Sequence, residues 1–83
     1  MDRTNALANL AEDLASAQML MDDGAGGEAV QAYIDASITL FRTRQPQALE
    51  ITRSVELGRI VCRVSFEDKV ETLTARRIDE RLP

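Results

Sequence analysis

The sequence predicts an α+β domain in which an N-terminal antiparallel helical hairpin packs on a small antiparallel β-meander, in the order ααβββ. In the first half of the chain, apolar residues recur at three- and four-residue steps, which is typical of amphipathic helices. After Pro46 they alternate with polar residues, which indicates strands. The 83 residues make one domain, 1–83, which we divide into a helical hairpin at 4–43, a β-meander at 48–76 and a tail at 77–83.

The first helix is predicted over residues 4–21. Asp2 or Thr4 is placed to cap its first turn, because a short polar side chain there accepts a bond from an unpaired backbone N–H. The apolar face of this helix consists of Leu7, Leu10, Leu14, Ala17 and Met21.

The second helix is predicted over residues 28–43. Glu28 in its first turn and two arginines near its end suit the helix dipole, and Pro46 stops it because proline has no N–H to donate. Its apolar face consists of Val30, Tyr33, Ile34, Ile38 and Phe41. Two amphipathic helices joined by a short connection are expected to pack as an antiparallel pair.

The connection between the helices, from Asp22 to Glu28, contains three glycines and three carboxylates. Glycine-rich loops hold phosphate through bare backbone N–H groups, but this segment follows a helix, has no basic residue and would repel an anion. It also lacks the alternating oxygen ligands and closing acid of a calcium loop. Glycine commonly ends a helix in a left-handed conformation. The segment is therefore predicted to be a helix–helix corner rather than a ligand pocket.

The β-meander begins with a hairpin whose register is well determined. If Leu57 and Gly58 form a two-residue turn, three apolar pairs meet on one face, and a slip of one residue would destroy all of them. The expected pairs are Val55 with Ile60, Ile51 with Val64, and Leu49 with Phe66, with Glu56 meeting Arg59 beside the turn.

Residues 69–82 fit two interpretations. As a helix, the segment has a capping Asp68 and C-terminal arginines, but its apolar residues scatter around the helix axis. As a strand, it has β-branched residues at alternate positions and would steady an otherwise marginal hairpin. We predict a strand over about 69–76, followed by a short helical or frayed tail.

The side chains present narrow the range of functions. The chain has no histidine and a single cysteine, Cys62, so it lacks the usual ligands for zinc, copper and haem and the base of a catalytic triad. We therefore expect no cofactor, no metal site and no enzymatic activity. No signal peptide or membrane span is expected, and the lone thiol fits the reducing cytoplasm.

The charges divide unevenly along the chain. Residues 1–41 carry seven acids and one base, whereas residues 42–83 carry seven acids and nine bases. The acids of the first half are a candidate surface for a protein partner that is basic or binds nucleic acid: Glu12, Asp13, Asp22, Asp23, Glu28 and Asp35. The alternative surface is a set of arginines for nucleic acid or an acidic protein: Arg42, Arg44, Arg53, Arg59, Arg63, Arg76 and Arg77. Solubility alone explains many such charges.

Arg53 stands out because the predicted register places it on the apolar face, opposite Cys62. A charge in that position needs an acidic partner, because removing an unpaired ion from water is costly. It is expected either to pair with an acid from the helices or to reach the edge of the sheet, and a gap in the helix layer would let it contact a partner.

The function predicted from these features is a non-catalytic protein-interaction protein, either an inhibitor, an adaptor or a subunit. A phage or mobile-element inhibitor is one specific form, suggested by the short, acidic, single-domain chain. The core is rich in alanine and poor in aromatic residues, so we also expect a homo-oligomer or a complex subunit. The alternative is a nucleic-acid-binding regulator that uses the arginines on the exposed face of the sheet.

Overall fold

A computed structural model describes residues 2–81 and has the predicted α+β fold. Two helices are followed by a three-stranded antiparallel sheet of order β1-β2-β3 and then by a short helix. The elements are α1 (Arg3–Asp22), α2 (Gly27–Arg44), β1 (Glu50–Glu56), β2 (Arg59–Ser65), β3 (Val70–Thr74) and α3 (Ile78–Arg81). The ααβββ order is thus confirmed, and residues 78–81 of the tail form a short helix.

The ends of α1 follow the signals in the sequence. The Asp2 carboxylate accepts a 2.8 Å hydrogen bond from the Asn5 N–H and caps the first turn. At the other end Gly24 has a φ of +90°, the left-handed conformation expected of glycine. The amide of Gly24 donates to the Met21 carbonyl and that of Ala25 donates to the Leu20 carbonyl, a Schellman motif. The glycine-rich segment is therefore the helix–helix corner that the sequence predicts.

The hairpin of β1 and β2 has the predicted register from Glu50 to Ser65, with Val55 opposite Ile60 and Arg53 opposite Cys62. The predicted pair of Leu49 with Phe66 is wrong, because the Leu49 N–H donates to the Ser65 carbonyl at 2.8 Å, one position out of register, and its side chain is 67% exposed. Its turn residues Leu57 and Gly58 have φ values of +54° and +77°. Positive φ at both positions defines a type I′ turn, whose twist matches that of the two strands. The third strand is confirmed as well, because β3 pairs antiparallel with β2.

The core lies between the helix layer and one face of the sheet. Helix α1 packs on β2 and β3, whereas α2 packs chiefly on α1 and lies towards the side of β1. The fully buried side chains include Leu10 and Leu14 from α1, and Ile60, Cys62 and Val64 from β2. The central strand is therefore covered, while β1 is largely exposed on both faces.

No helix in the described residues is both long enough and apolar enough to cross a membrane.

Candidate protein-interaction surface

The six acids of the predicted acidic surface divide into two groups. Two of them bind arginines from the second half of the chain: the Asp22 carboxylate accepts a bond from the Arg77 guanidinium at 3.1 Å, and Asp35 accepts one from Arg53 of β1 at 2.7 Å. The others lie on the helices and at the corner between them: Glu12, Asp13, Asp23 and Glu28. The structure therefore does not gather all six carboxylates on one open face.

The predicted basic surface is largely neutralised within the molecule. Four of its seven arginines form ion pairs: Arg53 with Asp35, Arg59 with Glu80, Arg63 with Glu56, and Arg77 with Asp22. Within the described residues, no ion pair involves the other three, which lie at the end of α2 and just after β3: Arg42, Arg44 and Arg76. The arginines therefore do not form a continuous cationic face.

The expectation that Glu56 and Arg59 form an ion pair is wrong. Glu56 stands opposite Arg59 in the ladder, but its carboxylate accepts a 2.8 Å bond from Arg63. The Arg59 guanidinium instead donates to both carboxylate oxygens of Glu80, in the short helix α3. Arg63 stands opposite Thr52 on the same face of the sheet, so its long side chain extends along the strands past Ser54 and Val61 to reach Glu56. The bidentate pair with Glu80, outside the hairpin, competes for Arg59 with its direct cross-strand neighbour.

Arg53 has the acidic helix partner that its position requires. Its Nε and Nη2 donate to the two Asp35 carboxylate oxygens at 2.7 and 3.1 Å. This bond lowers the pKa of Asp35 below its ordinary value, because the guanidinium favours the charged carboxylate. The pair joins β1 to α2 at the surface of the molecule, with both side chains partly exposed.

An apolar groove of about 390 Å³ lies between α2 and β1. Val30 and Ile34 of α2 form its buried floor, and Met21 and Ala25 close the end at the helix–helix corner. Gly27 and Gln31 line the helix side, and Arg53, Ser54 and Val55 line the strand side. The helix–helix corner thus contributes to an apolar groove rather than to an anion or metal site.

The β1 side of this groove is open. Val55 points to the same face as the core residue Ile60 but is 59% exposed, because the helix layer does not extend over the end of the strand. Val70, a residue of the same type on the opposite edge strand, is 58% exposed but does not line the groove. The two valines therefore differ in position rather than in exposure.

Leu57 lies beyond the groove at the tip of the hairpin. It is fully exposed and has a positive φ, a conformation that costs a residue with a Cβ about 1–2 kcal/mol. An asparagine or glycine would form the same type I′ turn with less strain. Leu57 is thus a large apolar residue that is exposed to solvent and has a backbone conformation unfavourable for leucine.

The hairpin tip is fixed by a buried glutamine that the sequence analysis missed. Gln18 is fully buried; its Oε1 accepts a bond from the Ile60 N–H at 2.9 Å, and its Nε2 donates to the Gly58 carbonyl at 3.0 Å. Arg77 also donates to the Gly58 carbonyl, at 3.1 Å. The sequence does contain a signal for this role. Position 18 continues the four-residue spacing of Leu10 and Leu14, so the polar side chain of Gln18 must face the core.

The largest pKa shifts in the described residues have structural causes, namely burial and ion pairs within the chain. Burial raises the pKa of the Cys62 thiol to about 11, which leaves it protonated and a poor nucleophile at neutral pH. The bonds from Arg59 and from the Arg77 N–H lower the pKa of Glu80 to about 2. Among the described residues, no cluster of three or more acids, cysteines or histidines is suited to a metal ion.

Comparison of the chain with protein-family models, with curated proteins and with solved structures gives no match.

Proposed function

We propose that this protein is a small non-catalytic protein-interaction protein, an inhibitor, adaptor or subunit, that occupies a partner protein's surface through the α2–β1 groove. The observation that carries the proposal is an apolar groove beside a strand that is exposed at every position except the half-buried Ile51. Apolar surface rimmed by polar residues is typical of protein-binding sites. The state of the Cys62 thiol and the lowered carboxylate pKa values support a role without catalysis.

The acidic residues have a secondary part in this proposal. Asp23 and Glu28 flank the corner end of the groove in the chain, and both are exposed. Carboxylates at the rim speed the approach of a basic partner more than they strengthen the final complex. We therefore propose a basic protein as the partner, and an inhibitor carried by a phage or mobile element as one form that the short acidic chain suggests. The buried thiol Cys62 suits a cytoplasmic protein.

Binding to nucleic acid has less support. It would need arginines that are free to meet phosphates, and four of the seven candidates are held by carboxylates of the same chain. A mobility-shift titration at two salt concentrations tests this alternative. Salt-sensitive binding at micromolar protein would support it, and the absence of binding would end it.

The test of the proposed function uses the two exposed valines. Immobilised wild type, Val55→Asp and Val70→Asp are each exposed to native lysate, and captured proteins are identified by mass spectrometry. We expect a partner that binds the wild type and Val70→Asp but is lost from Val55→Asp. Circular dichroism checks that both variants fold, which is expected because both sites are more than half exposed. A partner retained equally by both variants would place the contact elsewhere.

A further inference from the structure

The free edge of β1 carries backbone groups that no described residue pairs. In a two-residue hairpin the closing pair, Glu56 and Arg59, exchanges both backbone hydrogen bonds. Because bonded and non-bonded pairs alternate in an antiparallel ladder, Ile51, Arg53 and Val55 direct their N–H and C=O groups away from β2. In the described sheet β1 is an edge strand, so these groups face outward beside the groove.

We propose that β1 accepts an extended segment of the partner protein as a fourth strand, seated against the groove beneath α2. This inference rests on the proposed function and specifies how the groove is used. A helix or a small molecule can fill the apolar groove, but only an extended chain also satisfies a row of outward backbone groups. The partner segment therefore gains main-chain hydrogen bonds from β1 and buries apolar side chains in the groove beside the exposed Val55.

The two faces of β1 specify the side chains of that segment. On the groove face it would lie beside Ile51 and Val55, with Arg53 between them already paired with Asp35, so alternate residues are apolar. On the other face it would lie beside the Glu50 and Glu56 carboxylates at the two ends of β1. Glu56 already has Arg63 as a partner, whereas Glu50 forms no ion pair within the described residues. Directly opposite charges attract across a ladder, so the residues between the apolar positions are basic.

A second copy of this chain fits the edge poorly. Helix α1 lies over β2 and β3. Packed helices are about 8–10 Å apart, whereas strands are about 4.8 Å apart, so the neighbouring helix α2 lies near the free edge of β1. Symmetric pairing of two β1 strands would place the α2 helices of both copies above the same pair of strand edges, where they would clash. In the register centred on Arg53, that residue would also face its own copy, and Glu50 would face Glu56.

The first experiment uses synthetic peptides and the isotope-labelled protein. Acetylated Val-Lys-Val-Lys-Val-Lys-Val is compared by NMR with Val-Val-Val-Val-Lys-Lys-Lys, which has the same composition and charge in block order. We expect the alternating peptide to shift the amide signals of Ile51, Arg53 and Val55 and to slow their hydrogen exchange, with an affinity at least tenfold above that of the block peptide. Equal affinity for the two peptides, or no binding of either, would overturn the inference.

Backbone methylation tests the hydrogen bonds directly. One alternating peptide is N-methylated on every valine and another on every lysine. In an antiparallel ladder the valine N–H groups face β1, and in a parallel ladder the lysine groups do. One methylated peptide should therefore lose binding at least tenfold while the other retains it. If both bind like the parent peptide, the segment is not held as a strand.

The matched protein variants are Arg53→Pro and Arg53→Ala. Both remove the ion pair with Asp35, but only proline removes the outward N–H. Peptide binding should be lost in Arg53→Pro and retained in Arg53→Ala, and if the proline variant does not fold, the methylated peptides decide. A sedimentation mass that falls from dimer to monomer in Arg53→Pro would place a second copy on this edge and overturn the inference.

The outcomes separate this inference from the proposed function. A lysate partner that is lost from Val55→Asp but binds Arg53→Pro as it binds Arg53→Ala leaves the proposed function standing and refutes strand addition. A partner that ignores both the groove and the edge refutes both.

Discussion

Replacing Gln18 with leucine should destabilise the domain although the two side chains are similar in size. Gln18 is enclosed between α1 and the β1–β2 turn and accepts the bond from the Ile60 N–H at 2.9 Å. Leucine cannot accept that bond, and a buried N–H without a partner costs about 1–3 kcal/mol. The Gly58 carbonyl keeps its bond from Arg77, so most of the loss arises at Ile60.

The assay is urea and thermal unfolding followed by circular dichroism. A domain of this size loses about 4–8 °C in Tm for each kcal/mol, so a fall of about 4–24 °C is expected in Gln18→Leu. The urea midpoint should fall with an unchanged slope, because the unfolding surface is the same. Gln31→Leu on the exposed face of α2 is the control and should change stability by no more than about 0.5 kcal/mol.

A second substitution, Gln18→Glu, separates the hydrogen bond from packing. At neutral pH the introduced carboxylate cannot donate to Gly58 and lies beside Asp22, whose carboxylate accepts from Gln18 at 3.0 Å. Burial and the neighbouring charge raise the pKa of the introduced glutamate in the folded protein. Its destabilising effect is therefore fully present above that raised pKa, and it disappears as the pH falls below about 4.3, the pKa of glutamate in the unfolded chain. Gln18→Leu should show no such recovery. Stability of Gln18→Leu equal to wild type, or a pH-independent deficit in Gln18→Glu, would refute the reasoning.

Three further predictions concern the turns and the tail. Leu57→Asn should raise the unfolding free energy by about 1 kcal/mol, because asparagine tolerates the left-handed turn position, whereas Leu57→Ala should not. Gly24→Ala should lower the unfolding free energy by about 1–2 kcal/mol because Gly24 has a positive φ, whereas Gly27→Ala, at an ordinary helical φ, should not. Equal effects of the two substitutions in chemical denaturation would contradict this. The pKa of Glu80 is lowered to about 2, so the stability that its carboxylate contributes is fully present above about pH 4.5 and is lost as the pH falls towards 2. The stability advantage of the wild type over Glu80→Gln should therefore disappear over that pH range. An advantage in urea midpoint that stays constant with pH would contradict this prediction.

The elements of the fold could be predicted because each is specified by nearby residues. The two-residue period around Leu57-Gly58 determines the hairpin register, since only one alignment places Ile51 and Val55 on the core-facing side. The residues of the third strand did not decide its structure alone, because they also allow a capped helix, although one with a scattered apolar face. The strand prediction followed from the instability of an isolated hairpin, and the pairing of β3 with β2 confirms that reasoning.

The site could not be predicted in the same way because it depends on distances between elements. The register places Val55 on the inner face of the sheet, but whether a helix covers it depends on where α2 lies above β1. The answer is that α2 leaves an open groove and Val55 stays 59% exposed. The ion-pair partners of Arg59 and Glu56 were unpredictable for a related reason, since Glu80 approaches only once α3 has formed.

Leu57 links the stability of the domain to the proposed interaction. In the folded chain its side chain is fully exposed, so no internal contact offsets the strain of its positive φ. A domain of this length has only a modest margin of stability, and replacement by asparagine is expected to increase that margin. If the leucine contacts the partner next to the groove, Leu57→Asn should fold more stably and yet bind the partner more weakly, with the loss appearing mainly in the dissociation rate. A variant that gains stability and binds with unchanged affinity would show that the hairpin tip takes no part in recognition and would confine the interface to the groove and the edge of β1.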